Sequence, residues 1–261
     1  MSVITAHATG TFCWPELSTT DVTAAKRFYS TLFGWAPDDS PMPDGGAYTM
    51  LKLGNEDVGA MCGMHPEQLK AGVPPHWNLY VAVASADDTA TKAASLGGTV
   101  ILPPFDVMDA GRMAVIQDPT GAVFSIWQPK GHAGASRIDE VGALSWNELY
   151  TRDTEKAGAF YSGLFGWRRK AWEGPMPYSL FHLDADRMVG GMMSMPDDMK
   201  DVPPHWLPYF QVEDVDAAVA RAREIGGTIC NPPMDVPKVG RIAMLADPQG
   251  AAFAIAKFNP A

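Results

Sequence analysis

The sequence predicts an α+β protein of two tandem domains, each made of two βαβββ units. Three observations predict it. The chain repeats itself at a nearly constant offset, each copy alternates short period-two runs with helical patterns, and 261 residues suffice for two domain-sized cores. Trp14-Pro15-Glu16-Leu17 returns 132 residues later as Trp146-Asn147-Glu148-Leu149, and Phe28-Tyr29 with Leu32-Phe33-Gly34-Trp35 returns at the same offset. Pro74-Pro75-His76-Trp77 returns 129 residues later as Pro203-Pro204-His205-Trp206, and that offset holds to the end. Gly97-Gly98-Thr99, Gly111-Arg112 and Asp118-Pro119-x-Gly121 recur as Gly226-Gly227-Thr228, Gly240-Arg241 and Asp247-Pro248-x-Gly250.

The elements follow in order. Thr11 to Leu17 alternates and is rich in aromatics, so it reads as a strand. Asp21 caps a helix whose apolar positions Val22, Ala25, Phe28 and Leu32 share one side, and Gly34 stops it. Tyr48 to Leu53 and Val58 to Cys62 read as strands, and the Gly, Pro and Asp residues between Trp35 and Pro74 read as surface loop. His76 to Ala84 opens the second unit as a strand. Ser85 and Asp88 then form a capping-box pattern for a helix that ends at Gly97-Gly98. Thr99 to Leu102, Arg112 to Gln117 and Ala122 to Gln128 supply three more strands. The small, polar, unpatterned stretch at about 129–139 reads as a linker, which places the domains at 1–131 and 138–261.

Composition narrows the function. Apolar residues make up 46% and charged residues 19%, an ordinary globular balance. The net charge of −10, with no basic stripe, disfavours nucleic acid and anionic membrane as partners. No apolar run reaches membrane-helix length and the N-terminus has no signal-peptide pattern, so the expected location is the cytoplasm. Cys13, Cys62 and Cys230 are odd in number and lack metal-site spacing, which fits free thiols. Walker, dinucleotide-binding and nucleophile-elbow motifs are all missing from the chain.

The twice-occurring helix signature Asp-x-x-x-Ala-x-x-Phe-Tyr-x-x-Leu-Phe-Gly-Trp and the terminal Asp-Pro-x-Gly-x-x-Phe resemble the vicinal oxygen chelate superfamily. That superfamily includes glyoxalase I, bleomycin- and fosfomycin-resistance proteins and extradiol dioxygenases. The chain is similar in particular to its tandem-domain actinobacterial members, carried under glyoxalase or hydroxylase names and known in part as mycobacterial antigens. The resemblance covers nearly the whole chain and implies that paired βαβββ units form a curved mixed sheet, a cup for a small molecule. It also implies metal ligands on the first, fifth and last strands. Counting from the motifs puts these positions at Trp14, Asn78 and Ser125 in the first domain and at Trp146, Leu207 and Ala254 in the second. Trp, Leu and Ala offer no donor to a divalent cation, so neither metal nor another cofactor is expected.

Strand alternation sets Phe12, Trp14 and Glu16 on one face, with His76, Asn78 and Tyr80 sharing a face of the fifth strand. The second domain repeats this with Trp146 and Glu148, and with His205, Leu207 and Tyr209. Glu16 and Glu148 are the candidate general acids or bases, and His76 and His205 their candidate partners. Either Glu equally suits a role bonding backbone amides, and either His a role capping the loop. Phe12, Trp14, Tyr48, Asn78, Tyr80, Ser125, Trp127, Trp146, Tyr178 and Tyr209 are candidate ligand contacts, although the aromatic ones suit core packing as well. Arg112 and Arg241 are candidate anion clamps, with ion pairs to the nearby Asp118 and Asp247 as their structural alternative. Met61, Met64, Met192, Met193 and Met195 read as core. Domain two has Leu207, Ala254 and Ala256 where domain one has Asn78, Ser125 and Trp127, which makes the first cup the preferred site.

The expectation is a metal-independent enzyme of lyase or isomerase type acting on a small carbonyl or aromatic metabolite. Two alternatives stand beside it: a protein that sequesters a drug-like or secondary metabolite, and a metal-dependent glyoxalase or dioxygenase. The expected partner is a small molecule, and the expected assembly a monomer or homodimer.

Overall fold

The computed structural model describes residues 3–42, 45–174, 176–185 and 187–259. The first half runs β1 (Phe12–Thr19), α1 (Val22–Phe33), β2 (Ala36–Pro41), β3 (Ala47–Leu53), β4 (Glu56–Gly63), α2 (Pro66–Lys70), β5 (His76–Ala82), α3 (Ala86–Ser95), β6 (Thr99–Val107), β7 (Gly111–Gln117) and β8 (Val123–Pro129). The second half runs β9 (Leu144–Thr151), α4 (Thr154–Phe165), β10 (Arg168–Ala171), β11 (Ser179–His182), β12 (Met188–Ser194), β13 (His205–Gln211), α5 (Val215–Glu224), β14 (Thr228–Val236), β15 (Gly240–Ala246) and β16 (Ala252–Phe258), with a 3₁₀ turn at Asp197–Met199 in place of α2. Each half forms one eight-stranded mixed sheet, ordered β2-β3-β4-β1-β5-β8-β7-β6 and β10-β11-β12-β9-β13-β16-β15-β14. The fold is therefore two tandem α+β domains, as the repeat predicts.

The helix boundaries follow local chemistry. The Asp21 carboxylate accepts from the Ala24 amide and the Asp153 carboxylate from the Lys156 amide, while Gly34 and Gly166 each end their helix at φ 75°. β2 is the strand that the βαβββ pattern requires but that sequence alone does not locate, its residues reading as loop. Its Ala-Pro-Asp-Asp-Ser-Pro sequence is exposed throughout, so no apolar alternation betrays it. It is an edge strand defined by its ladder to β3.

The main departure from expectation is the core. Two self-sufficient cores were expected, but one continuous cluster draws on both halves. Phe33 on α1 packs against Phe210 and Phe253 of the second half, and Phe12 packs against Trp167 and Trp206. Phe28 and Phe160 lie against Gly227 and Gly98 of the opposite half. A Cβ at Gly98 would stand 2.9 Å from the Phe160 ring, so the second glycine of each pair makes room for that ring. Polar bonds fasten the same surface. Tyr29 donates to Asp247 at 3.2 Å and Tyr161 to Asp118 at 3.0 Å, and each phenol accepts an indole N–H, from Trp77 and Trp206. Trp35 and Trp167, both buried, donate to the carbonyls of Gly142 and Gly10 across the halves. The two repeated motifs thus meet each other. The Phe-Tyr pair of one half grips the Asp-Pro turn of the other.

The stretch read as a free linker is packed structure. Ala135 is fully buried and its amide bonds the Cys13 carbonyl, while the Ser136 amide bonds Asp57 and its carbonyl receives the Ile4 amide.

Candidate active site in two aromatic cups

The remaining face of each sheet carries the cup. At its centre β1 and β5 pair antiparallel, so that Trp14 opposes Tyr80, Glu16 opposes Asn78 and Ser18 opposes His76. Directly opposed residues put their side chains on one face. β3 brings Tyr48 and β8 brings Ser125 and Trp127 to the same face. The Glu16 carboxyl accepts a hydrogen bond from Tyr48 at 2.7 Å on one oxygen and from Tyr80 at 2.9 Å on the other. The Trp14 indole N–H donates to the Tyr48 oxygen at 3.2 Å, completing a Trp–Tyr–Glu–Tyr chain.

The second cup repeats that chain. Tyr178 and Tyr209 donate to Glu148 at 2.7 and 2.9 Å, and Trp146 donates to Tyr178 at 3.0 Å. Gly191 makes the arrangement possible, because a Cβ there would overlap the Tyr178 hydroxyl. Tyr150 adds a third phenol to Glu148 where the first half has Ser18. The first cup had seemed the more polar from Asn78 and Ser125, but Tyr150 offsets that loss in the second.

No cation faces either carboxyl among its hydrogen-bond partners. Burial raises Glu16 and Glu148 above the usual carboxylate range, and the phenol hydrogen bonds oppose that shift only in part. Burial and the adjacent carboxyl push Tyr48, Tyr80, Tyr178 and Tyr209 upward, which keeps them protonated and donating. The result is a carboxyl, half-buried for Glu16 and buried for Glu148, that accepts hydrogen bonds from the phenol O–H groups around it.

The other expected site residues divide. Asn78 lies in the cup, its amide N–H donating to Ser125 Oγ at 2.7 Å. Trp127 lines the wall and forms an edge contact with Tyr80. Phe12 does not face the cup. A bulge between Phe12 and Trp14 breaks the alternation and turns Phe12 into the core between the halves. Arg112 is no clamp either. It grips Asp87 with two hydrogen bonds and approaches Asp106, on the opposite side of β7 from Met113, which reaches Tyr80. Arg241 does the same with Asp216 and Asp235, so the expected pairs with Asp118 and Asp247 do not form. His76 and His205 bond the carbonyls of Pro74 and Pro203 through Nδ1 and give the Glu carboxyls no hydrogen bond. His205 also stacks on Tyr150 with ring centroids 5.2 Å apart, and burial lowers its pKa. Two shallow crevices, beside Phe160 and beside Phe28, lie at the contacts between the halves and away from both cups.

The model of the glyoxalase/bleomycin resistance protein/dioxygenase superfamily matches residues 6–126 and again 137–255. The chain belongs to this superfamily. Among relatives, "Putative glyoxylase CFP32" of Mycobacterium tuberculosis is 46% identical over 253 residues, covering 96% of both chains. "Anthracycline biosynthesis protein DauV" of a Streptomyces species is 34% identical over 273 residues, covering 99% of this chain and 97% of its own. Among solved structures, the Mn(II)-bound glyoxalase of Novosphingobium aromaticivorans superposes with a TM-score of 0.66 at 15% identity, over 95% of this chain and 82% of that one. The 2,3-dioxygenase LapB of a Pseudomonas species gives 0.64 at 13%, over 98% and 96%. These two show the shared fold.

A superfamily-type divalent metal does not fit the side chains in place. The expected ligand positions hold Trp14, Asn78 and Ser125, and Trp146, Leu207 and Ala254; Asn78 Oδ1 is buried and unpaired, but it is a single neutral oxygen with no carboxylate, imidazole or thiolate at the other two positions. Among the described residues no three His, Cys, Asp or Glu side chains gather as a ligand set.

Sequence reasoning missed Tyr150 altogether, and expected Tyr178 only as a stacking aromatic and not as a hydrogen-bond partner of Glu148. Tyr150 was readable, since it follows Trp146 and Glu148 at intervals of two along β9. Tyr178 precedes its strand, and only the folded backbone brings it to the carboxyl.

Proposed function

We propose that this chain binds a small planar carbonyl or aromatic metabolite in its cups and catalyses proton transfer of lyase or isomerase type, with Glu16 and Glu148 as acid and base. One observation carries the reading. In both halves a carboxyl without a cationic partner is enclosed by aromatic walls and takes hydrogen bonds from two phenols. Such a carboxyl titrates closer to neutrality than a solvated one, which favours both taking and returning a proton at physiological pH. The tyrosine hydroxyls hold its orientation. Once the carboxylate has taken a proton it needs fewer donors, and a phenol released from it can turn its one O–H to the oxyanion formed alongside. The names of the relatives, a glyoxylase and an anthracycline biosynthesis protein, support a carbonyl-bearing or polycyclic aromatic ligand.

The test uses the full chain in D₂O with two probes, a small α-hydroxyketone and a hydroxyanthraquinone. Proton NMR follows exchange of the carbon-bound hydrogen of the ketone, and absorbance follows binding of the quinone. Exchange that is lost in Glu16→Gln combined with Glu148→Gln, with quinone binding retained, supports the proposal. Equal exchange in wild type and double variant removes the carboxyls from the chemistry. Stoichiometric binding with no exchange on any probe favours sequestration instead.

A further inference from the structure

The segment between the halves brings one more titratable group to the first cup. His132 packs edge-to-face on Trp14 with ring centroids 4.6 Å apart, and at 6.2 Å from Trp127. Its backbone is fixed at both ends. The His132 amide donates to the Ala110 carbonyl at 2.9 Å, and the His132 carbonyl receives the Trp127 indole N–H at 2.9 Å. Nε2 is buried without a hydrogen-bond partner and lies 4.0 Å from Asp57 Oδ2. A buried ring nitrogen left unpaired is unfavourable in the neutral state and is relieved when a proton there meets the carboxylate.

Trp14 is also the first member of the chain that ends on Glu16, through Tyr48. A positive charge on the imidazole beside the indole strengthens the N–H as a donor and supplies the first cup with a nearby cation. In the second cup the imidazole sits elsewhere, with His205 stacked on Tyr150 and not on the indole. Among the described residues no aromatic or imidazole ring packs on Trp146.

We propose that His132 is a positioning residue of the first cup, bracing Trp14 and coupling its own proton to the Glu16 carboxyl through Trp14 and Tyr48. The charged and titratable groups facing it are Asp57 on β4, with Lys52 of β3 held on the same carboxylate at 2.9 Å, and His7 of the N-terminal segment, bonded to the Ala135 carbonyl. Trp14 of β1 and Trp127 of β8 are neutral. Burial lowers both His132 and His7, so at neutral pH the imidazoles are uncharged and the coupling appears on the acid side. The proposal deepens the reading of Glu16 as a proton-transfer group and gives the two cups different pH responses.

The experiment is an equilibrium titration of the full chain by NMR. The His132 ring signal is assigned by its loss in His132→Phe, and His7→Phe removes the neighbouring titration. Coupling is reciprocal, so Glu16→Gln must lower the His132 midpoint. The shift reads the fraction of Glu16 that is ionised at the His132 midpoint, and up to about half a pH unit is expected from that charge at a dielectric between protein and water. Glu148→Gln must leave the midpoint unchanged. Tryptophan fluorescence gives the second readout. Wild type shows an acid transition that His132→Phe lacks, although Phe keeps the ring contact and so rescues a purely packing role. A His132 midpoint identical in wild type and Glu16→Gln overturns the proposal, as does an acid transition that survives in His132→Phe. Neither readout depends on turnover. Failure of the proton-exchange test therefore leaves this result standing, and the converse also holds.

Discussion

Replacing Glu148 by Gln keeps the shape of the side chain and removes only its ability to ionise, and the consequence for stability has a definite sign. Glu148 is 6% exposed, and burial holds its pKa above that of the unfolded chain despite the phenols around it. Below the unfolded value both states are protonated and the carboxyl adds no pH dependence. As pH rises from there to the folded value, the unfolded chain releases a proton that the folded one keeps. Folding stability then falls by about 1.4 kcal/mol per pH unit for one such group. Above the folded value the loss is complete and the curve is flat. The variant lacks this descent, so wild-type stability minus variant stability must decline with pH across the window that starts at the ordinary glutamate range. Glu16 is raised by the same cause, so Glu16→Gln combined with Glu148→Gln doubles the slope where the two windows overlap, to about 2.7 kcal/mol per pH unit. Urea unfolding at a series of pH values, from acid to neutral, measures it. The constant offset from exchanging an oxygen for an amide cancels in the slope. A flat difference, or one that rises with pH, would mean that the phenols outweigh burial and that the carboxyls are ordinary buried anions, which refutes the acid–base argument.

Tyr161→Phe leaves two buried groups without a partner, the Trp206 indole N–H and one Asp118 oxygen, at about 2–4 kcal/mol in total. Calorimetry should then show a clearly lower Tm in one transition, since the core is continuous, whereas two separate transitions contradict the shared core. Phe12→Ala should lose about 3–5 kcal/mol of stability, as a large core truncation does, while ligand titration of the residual folded protein finds the cup unchanged. Arg112→Met with Arg241→Met should barely move the unfolding midpoint, because exposed ion pairs contribute little, and should leave hydroxyanthraquinone binding as in wild type. Weakened binding there would restore the arginines to the site.

The architecture was legible because duplication writes each element twice, and the site was legible where strand alternation held. Trp14, Glu16 and Tyr80 needed nothing beyond period two and the register of two strands. Phe12 failed at the one place where a bulge inserts a residue, and a bulge at Cys13 has no signature in the sequence around it. The arginines failed because their partners lie 25 residues away on a helix start, Asp87 for Arg112 and Asp216 for Arg241, nearer in space than the Asp-Pro turns that attracted attention in sequence. His132 was invisible for a different reason. It belongs to no periodic element, and its role follows from a backbone path fixed by amide bonds to Ala110 and by the burial of Ala135.

The two repeated motifs show how a duplicated chain divides its labour. Tyr29 and Tyr161 reach across to Asp247 and Asp118, so the residues that repeat most faithfully are spent on holding the halves together. The carboxyl with its two phenols also repeats, yet it lies on the face turned away from that contact. A purely structural explanation of the Glu–Tyr–Tyr cluster must therefore come from within each sheet. There it is poor, because a buried carboxyl flanked by neutral donors is a weaker stabiliser than an apolar side chain of the same volume. Residues around the cluster have diverged, Asn78 to Leu207, Ser125 to Ala254 and Ser18 to Tyr150, while the cluster has not. Persistence of an unfavourable group amid changing neighbours within one chain is the pattern that the proposed proton-transfer role accounts for and packing alone does not.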